Sequence, residues 1–240
     1  MKGVPVGTRP DSSDPSYAKL RKLNAAVRKC FRALTPIFAK YLFDSGTDLP
    51  TEPKTAYTVD SDKTLSAEIT ELSANRKLGT VPGTAQPRGW KAIVASGLTL
   101  REPTYVRLHL INEKFGGLGE NKNLVPGPTL HNNLHRRGVE EPIKKLVGET
   151  PKQKKFNGVV WMNAKVAHHT SAAGVWPKAV LDTGVEATDF ASSINVTWGL
   201  HERDGSTWAK KDVLGSYHLG PIALPKFLEK DAAKLKAALT

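Results

Sequence analysis

Residues 105–147 read YVRLHLINEKFGGLGENKNLVPGPTLHNNLHRRGVEEPIKKLV, and the fold class turns on how this stretch is parsed. YVRLHLI, at 105–111, has the composition and length of a strand. Side chains alternate across a strand, so Tyr105, Arg107, His109 and Ile111 share one face, and Val106, Leu108 and Leu110 the other. The second face is wholly apolar and is the expected core side. Arg107 and His109 would then project together from a strand anchored by its back, an arrangement able to hold a phosphate and a base at once. A lone histidine on a strand is ordinarily structural, so this pair alone identifies nothing.

A loop with Phe115-Gly-Gly-Leu-Gly119 follows, and then a short strand around Asn123–Val125 that Pro126 and Pro128 are expected to stop. A helix should begin near Thr129, a good N-cap after the Gly–Pro break, and run toward Val147, with Pro142 either bending it or starting a second segment. Residues four apart share a helix stripe, which aligns Asn132, Arg136 and Glu140, with His135 close by. An amide oxygen near a carboxylate suits Mg²⁺, a hard ion that keeps most of its waters. Read alone, this is also an ordinary polar helix face.

Outward from this centre, strand patterns dominate on both sides. GVVWMNAKVAH (158–168) and SSINVTWGL (192–200) alternate apolar and polar residues, and Leu65–Leu72 is a shorter candidate. LPKFLEKDAAKLKAAL (224–239) reads as an amphipathic helix with Leu228, Ala232, Leu235 and Leu239 on one side. Residues 44–56 look like a linker, and residues 77–89 are rich in Pro and Gly. Before the linker, a Pro/Gly/Ser leader precedes a basic amphipathic helix over residues 17–43, with an expected kink at Pro36. These patterns predict an α+β protein: a mixed or antiparallel sheet with a central ββα unit, plus N- and C-terminal helices. Residues 1–50 form the leader and basic helix, and residues 51–240 the main domain.

Composition narrows the function classes. The chain has 240 residues and a formal charge of +12, which favours a polyanionic partner such as nucleic acid. Cys30 is the only cysteine, which excludes an intrachain disulfide and a zinc-binding cysteine cluster. In its apolar-basic setting it is expected to be a buried small hydrophobe. No apolar run approaches the ~18–20 residues needed to span a bilayer. The opening MKGVPVGTRPDSSDPS lacks the apolar core of a secretory signal peptide, so a cytoplasmic location in the producing cell is expected.

Taken in order, Arg107-x-His109, HLIN at 109–112, GGLG at 116–119, NLVP at 123–126, then Asn132 and Glu140, form a pattern far more specific than its parts. It resembles the DNA/RNA non-specific endonucleases of the His-Me (ββα-metal) finger superfamily. The toxin-type members found among polymorphic toxins and contractile-injection-system cargo are the nearest in pattern. The resemblance covers about forty residues. It implies a finger over about 105–147 in which His109 is the general base, Arg107 holds the scissile phosphate and Asn123 ties the loop so that the histidine points correctly. It also implies that Asn132 is the direct protein ligand of Mg²⁺ (or Mn²⁺), with Glu140 gripping the metal's waters. Asn133 is the alternative ligand should the helix begin one residue later, and His135 and Arg136 are secondary candidates. In the secreted relatives the strand reads Asp-Arg-Gly-His, whereas Val106 and Leu108 flank Arg107 here.

The resemblance further implies DNA, with RNA as an alternative, as the substrate, a cognate immunity protein, and delivery to a target cell by a dedicated secretion or injection system. Two other classes stay open: a nucleic-acid-binding module that has lost turnover, and a structural or partner-binding component of an assembly. Of the remaining histidines, His131 is expected to lie on the surface, His168 and His169 to be an ordinary strand end, and His201 and His218 to be structural. The five scattered tryptophans suggest packing rather than a stacking platform for bases.

Overall fold

The structure, a computed structural model, describes residues 49–147, 159–204 and 207–240. The leader, the basic helix expected over residues 17–43, and Cys30 lie outside the described residues. In chain order the elements begin with β1 (Lys54–Asp60), β2 (Lys63–Leu72), α1 (Trp90–Ala95), β3 (Tyr105–His109) and β4 (Leu124–Pro128). There follow α2 (Thr129–His135), a π turn (Arg136–Glu140), α3 (Glu141–Val147), β5 (Val160–His168) and α4 (Lys178–Leu181). The last are β6 (Ala191–Asp204), β7 (Thr207–Leu219) and α5 (Ala232–Leu239). The architecture is α+β, with the strands in antiparallel pairs. One five-stranded sheet has the order β1-β2-β5-β6-β7, and β3-β4 forms a separate two-stranded sheet.

The large sheet follows from period-two patterning. Ala67 and Ile69 on β2, Met162 and Ala164 on β5, and Ile194 and Val196 on β6 are buried. The register places Ile69 opposite Met162 and Ala67 opposite Ala164, so these residues share one inner face. The sheet's cover comes from the 129–147 segment: α3 packs on β5 and the π turn on β7. Val139, Ile143 and Val147, four apart, are fully buried and form that segment's apolar stripe. A second core gathers Trp176, Phe190 and Phe227, whose ring centroids lie 5.1–5.9 Å apart, with Ile93, Tyr105 and Leu235. Such tilted and edge-to-face contacts suit the aromatic quadrupoles.

Four local expectations are corrected. The linker expected over residues 44–56 gives way to β1 at Lys54, because the alternating TAYTV run pairs with β2, Tyr57 facing Ala67. β4 runs through both prolines instead of stopping before them. Leu110 N donates to Asn123 O and Thr129 N to Thr104 O, which puts the even-numbered residues of β3 at the hydrogen-bonded sites. Pro126 and Pro128 face Arg107 and Tyr105 at the alternate sites, so their missing N–H groups remove no ladder bond.

The helix begins at Thr129 as expected, and a π turn interrupts it before a second segment starts at Glu141, beside Pro142; Thr129 does not cap it, since its hydroxyl bonds Thr104 O at 3.0 Å. Pro142 lies two residues beyond the π turn, after Glu141. It cannot donate to the turn below, and its ring crowds the carbonyl four residues back, so the helix widens there. The C-terminal helix begins only at Ala232, and its last leucine, Leu239, is exposed.

No helix among the described residues is long and apolar enough to cross a membrane.

Candidate active site

β3 is covered on both faces rather than on one. Leu108, Leu110 and Ile111 are fully buried, Tyr105 enters the aromatic core, and Val106, Arg107 and His109 are half-buried. The covering comes partly from α2, which packs on β3, and partly from the irregular segment 77–90.

Asn123 holds the long loop between the two strands. Its Oδ1 accepts from Ile111 N at 2.9 Å, and its Nδ2 donates to Ile111 O and Leu118 O, each at 2.8 Å. The side chain is fully buried, so these bonds form in a low dielectric where an unmade one would be costly. The Gly-Gly-Leu-Gly run is needed for the same closure: a Cβ at Gly117 would collide with the carbonyl of Ile111 and press on Asn123 Nδ2. Gly79 N donates to Glu113 O at 2.7 Å and Thr80 N to Gly117 O at 3.1 Å, which docks the 77–82 strap onto the loop.

His109 sits under that strap. Burial lowers its pKa below the ordinary histidine value, while a hydrogen bond with the Thr80 backbone and the charges of Glu113 and Glu140 pull the other way. The net direction is downward, so the imidazole is neutral at neutral pH, the form able to accept a proton. Its Nε2 is buried with no hydrogen-bond partner.

Glu140 is the anionic centre. Its Oε1 accepts from Asn112 Nδ2 at 3.0 Å and lies 3.5 Å from His135 Nδ1; its Oε2 lies 3.8 Å from Lys144 Nζ. Burial raises its pKa, but bonding to His135, the charges of His135 and Lys144, and the Asn112 bond outweigh this and hold it below the usual carboxylate value. Asn112 also caps the next turn, accepting from Lys114 N at 2.8 Å, so the HLIN segment is bonded both to its own loop and to the helix.

The π turn changes which helix residues share a face. The expected Asn132–Arg136–Glu140 stripe is not formed: Arg136 is exposed and Glu140 buried. Widened i→i+5 spacing instead brings His135 and Glu140 together, both almost fully buried. His135, a secondary candidate, is thus a partner of Glu140, and its Nε2 is a second buried imidazole nitrogen without a partner. Asn132 is half-buried and Asn133 exposed on α2.

Arg107 is not free. Its Nη1 donates to Gly83 O at 2.8 Å and Ala85 O at 2.7 Å, and its guanidinium carbon lies 5.5 Å from the centre of the Trp90 ring. Nearby, buried Arg76 ties three carbonyls, those of Ser73, Lys114 and Val147, and burial lowers its pKa to about 10. Arg76, Asn112 and Thr80 were not singled out by sequence reasoning, and Trp90 was read only as a packing residue. Asn112 alone carried a signal, as the last letter of HLIN.

The other histidines lie elsewhere. His131 contacts Pro221 O, His168 contacts Thr64 O, His169 contacts Ile222 O, His201 accepts from Glu71 N, and His218 contacts Asn195 Oδ1.

No group of three or more His, Cys, Asp or Glu side chains among the described residues is arranged to hold a metal ion. Asn132, half-buried on α2, offers one amide oxygen, and Glu140 lies in the π turn that follows; an ion that retains most of its water needs few such ligands. Comparison with protein-family profiles, with curated proteins and with solved structures returns no match.

Proposed function

We propose that this chain is a metal-dependent endonuclease that hydrolyses phosphodiester bonds in DNA, and in RNA as an alternative substrate, with little sequence preference. The observation that carries the reading is the juxtaposition of a neutral, strap-covered His109 with the charge of Glu140, on a β3–β4–α2 unit whose loop is closed by Asn123. The ordered sequence motif and the +12 charge support it independently.

In this reading His109 takes a proton from the attacking water, and burial keeps it ready to do so at neutral pH. Arg107, already fixed by two carbonyls, presents its positive charge to the scissile phosphate and offsets the charge that builds there. Asn132 is the residue to hold Mg²⁺ or Mn²⁺, and Glu140 to orient its water. The ion, when bound, supplies Lewis-acid stabilisation of the leaving oxygen. Asn112, His135 and Lys144 keep Glu140 ionised and in place. As a toxin-type effector, such an enzyme would be held in check by an immunity protein whose acidic surface complements the +12 charge of the chain.

A binding module without turnover is the second reading. The engagement of Arg107 by Gly83 and Ala85 favours it, because a phosphate must use the remaining guanidinium donors. Incubation of the full chain with plasmid DNA and with structured RNA separates the two. Cleavage that needs Mg²⁺ or Mn²⁺ and stops with chelator is the expected result; salt-sensitive binding with no cleavage under any divalent ion would replace the nuclease with the binding module.

A further inference from the structure

Against Arg107, two residues before the proposed catalytic histidine on β3, lies a groove of about 380 Å³, lined also by Pro82, Trp90, Thr99, Tyr105 and Val106. Its size falls in the range of small-ligand sites, ~300–1,000 Å³, and its walls are mostly apolar around one fixed cation. Hydrolysis of a phosphodiester requires none of those apolar walls. Trp90 is half-buried at the start of α1, with the Arg107 guanidinium carbon 5.5 Å from its ring centre. Both bonds from Arg107 Nη1 to the 83–85 carbonyls restrain that guanidinium, so the pair is formed before any ligand arrives.

We propose that this groove is a nucleobase subsite: a base unstacked from the substrate strand lies on the Trp90–Arg107 pair, next to the phosphate presented to His109. The identity of the strand rests on the nuclease reading above. Three observations select a base over other occupants. Every base has a π face that stacks on aromatic or guanidinium planes, and the groove offers both. Arg107 and His109 are two residues apart on one strand, ~7 Å at the usual rise, so a base on Trp90 and the phosphate it adjoins are both within reach of the same strand. The +12 charge brings a polyanion to the surface, whereas a phosphate alone would gain nothing from Pro82, Val106 and Tyr105.

The consequence is a preference that phosphate contacts alone cannot produce. Bases in a duplex are stacked inside it, so single-stranded nucleic acid, or a strand already frayed, fills the groove at lower cost. Trp90 then sets substrate form rather than sequence.

The test uses the full chain and two probes, AMP and ribose 5-phosphate, with binding followed calorimetrically. The wild type should bind AMP about tenfold more tightly than ribose 5-phosphate, a modest part of what base–aromatic stacking provides. Trp90→Ala should bring AMP down to the level of ribose 5-phosphate, and Trp90→Phe should keep most of the difference. Equal affinity of the wild type for the two probes overturns the subsite, as does unchanged AMP binding in Trp90→Ala. Should Trp90→Ala not fold, the probe comparison in the wild type and in Trp90→Phe decides. The two failures are separable: cleavage without an AMP preference removes the subsite alone, and an AMP preference without cleavage removes the nuclease and keeps the subsite. In an active enzyme, single strands should be cleaved about tenfold better than duplex, and a single abasic nucleotide beside the scissile bond should erase that advantage.

Discussion

His135 Nδ1 lies 3.5 Å from Glu140 Oε1 although the two residues are five apart in the chain, a spacing that an unbroken α-helix would turn to different faces. The π turn between them makes the contact, and Glu140 is one of the two carboxylates whose charge raises the pKa of His109 against the larger effect of burial. π turns of this kind recur at functional sites. Here it places Glu140 and His135, whose charges are among the smaller effects on the proposed base.

The pH dependence follows in sign. His109 has a lowered pKa, so its proton is lost at lower pH than from an ordinary histidine, and the acid limb of the cleavage profile should have its midpoint below about 6.5. Glu140→Gln removes a charge that favours the protonated form and should move the His109 titration, followed by NMR of the imidazole, further down. An upward movement would contradict the proposed coupling.

Gly138 lies in the π turn under the ring of Tyr217, where a Cβ would meet the ring carbons. Alanine ordinarily favours a helix over glycine by about 1 kcal/mol. Gly138→Ala should nonetheless destabilise the protein by about 1–3 kcal/mol through overpacking, measured by urea denaturation. Tyr217→Ala in the same chain should remove most of that penalty, and additive losses would show that the ring is not the obstacle.

Asn123→Ala leaves Ile111 N, Ile111 O and Leu118 O without their side-chain partner in a buried loop. A loss of about 3 kcal/mol is expected, since a buried group left unsatisfied costs ~1–3 kcal/mol and such costs are not additive. Asn123→Asp keeps the acceptor for Ile111 N but loses both donors, and so should not recover the wild-type stability. A change below about 0.5 kcal/mol in either variant would mean that the loop is closed by other contacts.

Affinity for nucleic acid should fall steeply between about 50 and 200 mM salt, because a protein that reads phosphates releases counterions on binding. A filter-binding series with one oligonucleotide checks this. A flat salt response would detach the +12 charge from substrate binding.

Much of the frame was readable because it depends on local periodicity. The β5 and β6 segments alternate, their apolar residues are those that face the core, and the α+β class followed from them. The extent of β4 was not readable, because whether a proline breaks a ladder depends on which edge its nitrogen faces, and that is fixed by the partner strand. The motif named His109, Asn123 and Glu140; Asn123 and Glu140 are held by several side-chain bonds, and His109 by one with the Thr80 backbone. What it could not give was non-local. Thr80 and Trp90 reach β3 from a Pro/Gly-rich segment with no periodic signal, and the His135–Glu140 contact needs a helix defect that regular spacing excludes.

The most direct measurement is the single-turnover rate of cleavage of one supercoiled plasmid in Mg²⁺ by the wild type and by His109→Ala, with both proteins shown to be equally folded. The loss of a general base predicts a fall of about 10²–10⁴-fold in the variant. Equal rates in the two proteins would contradict the assignment of His109 and, with it, the mechanism built around that strand.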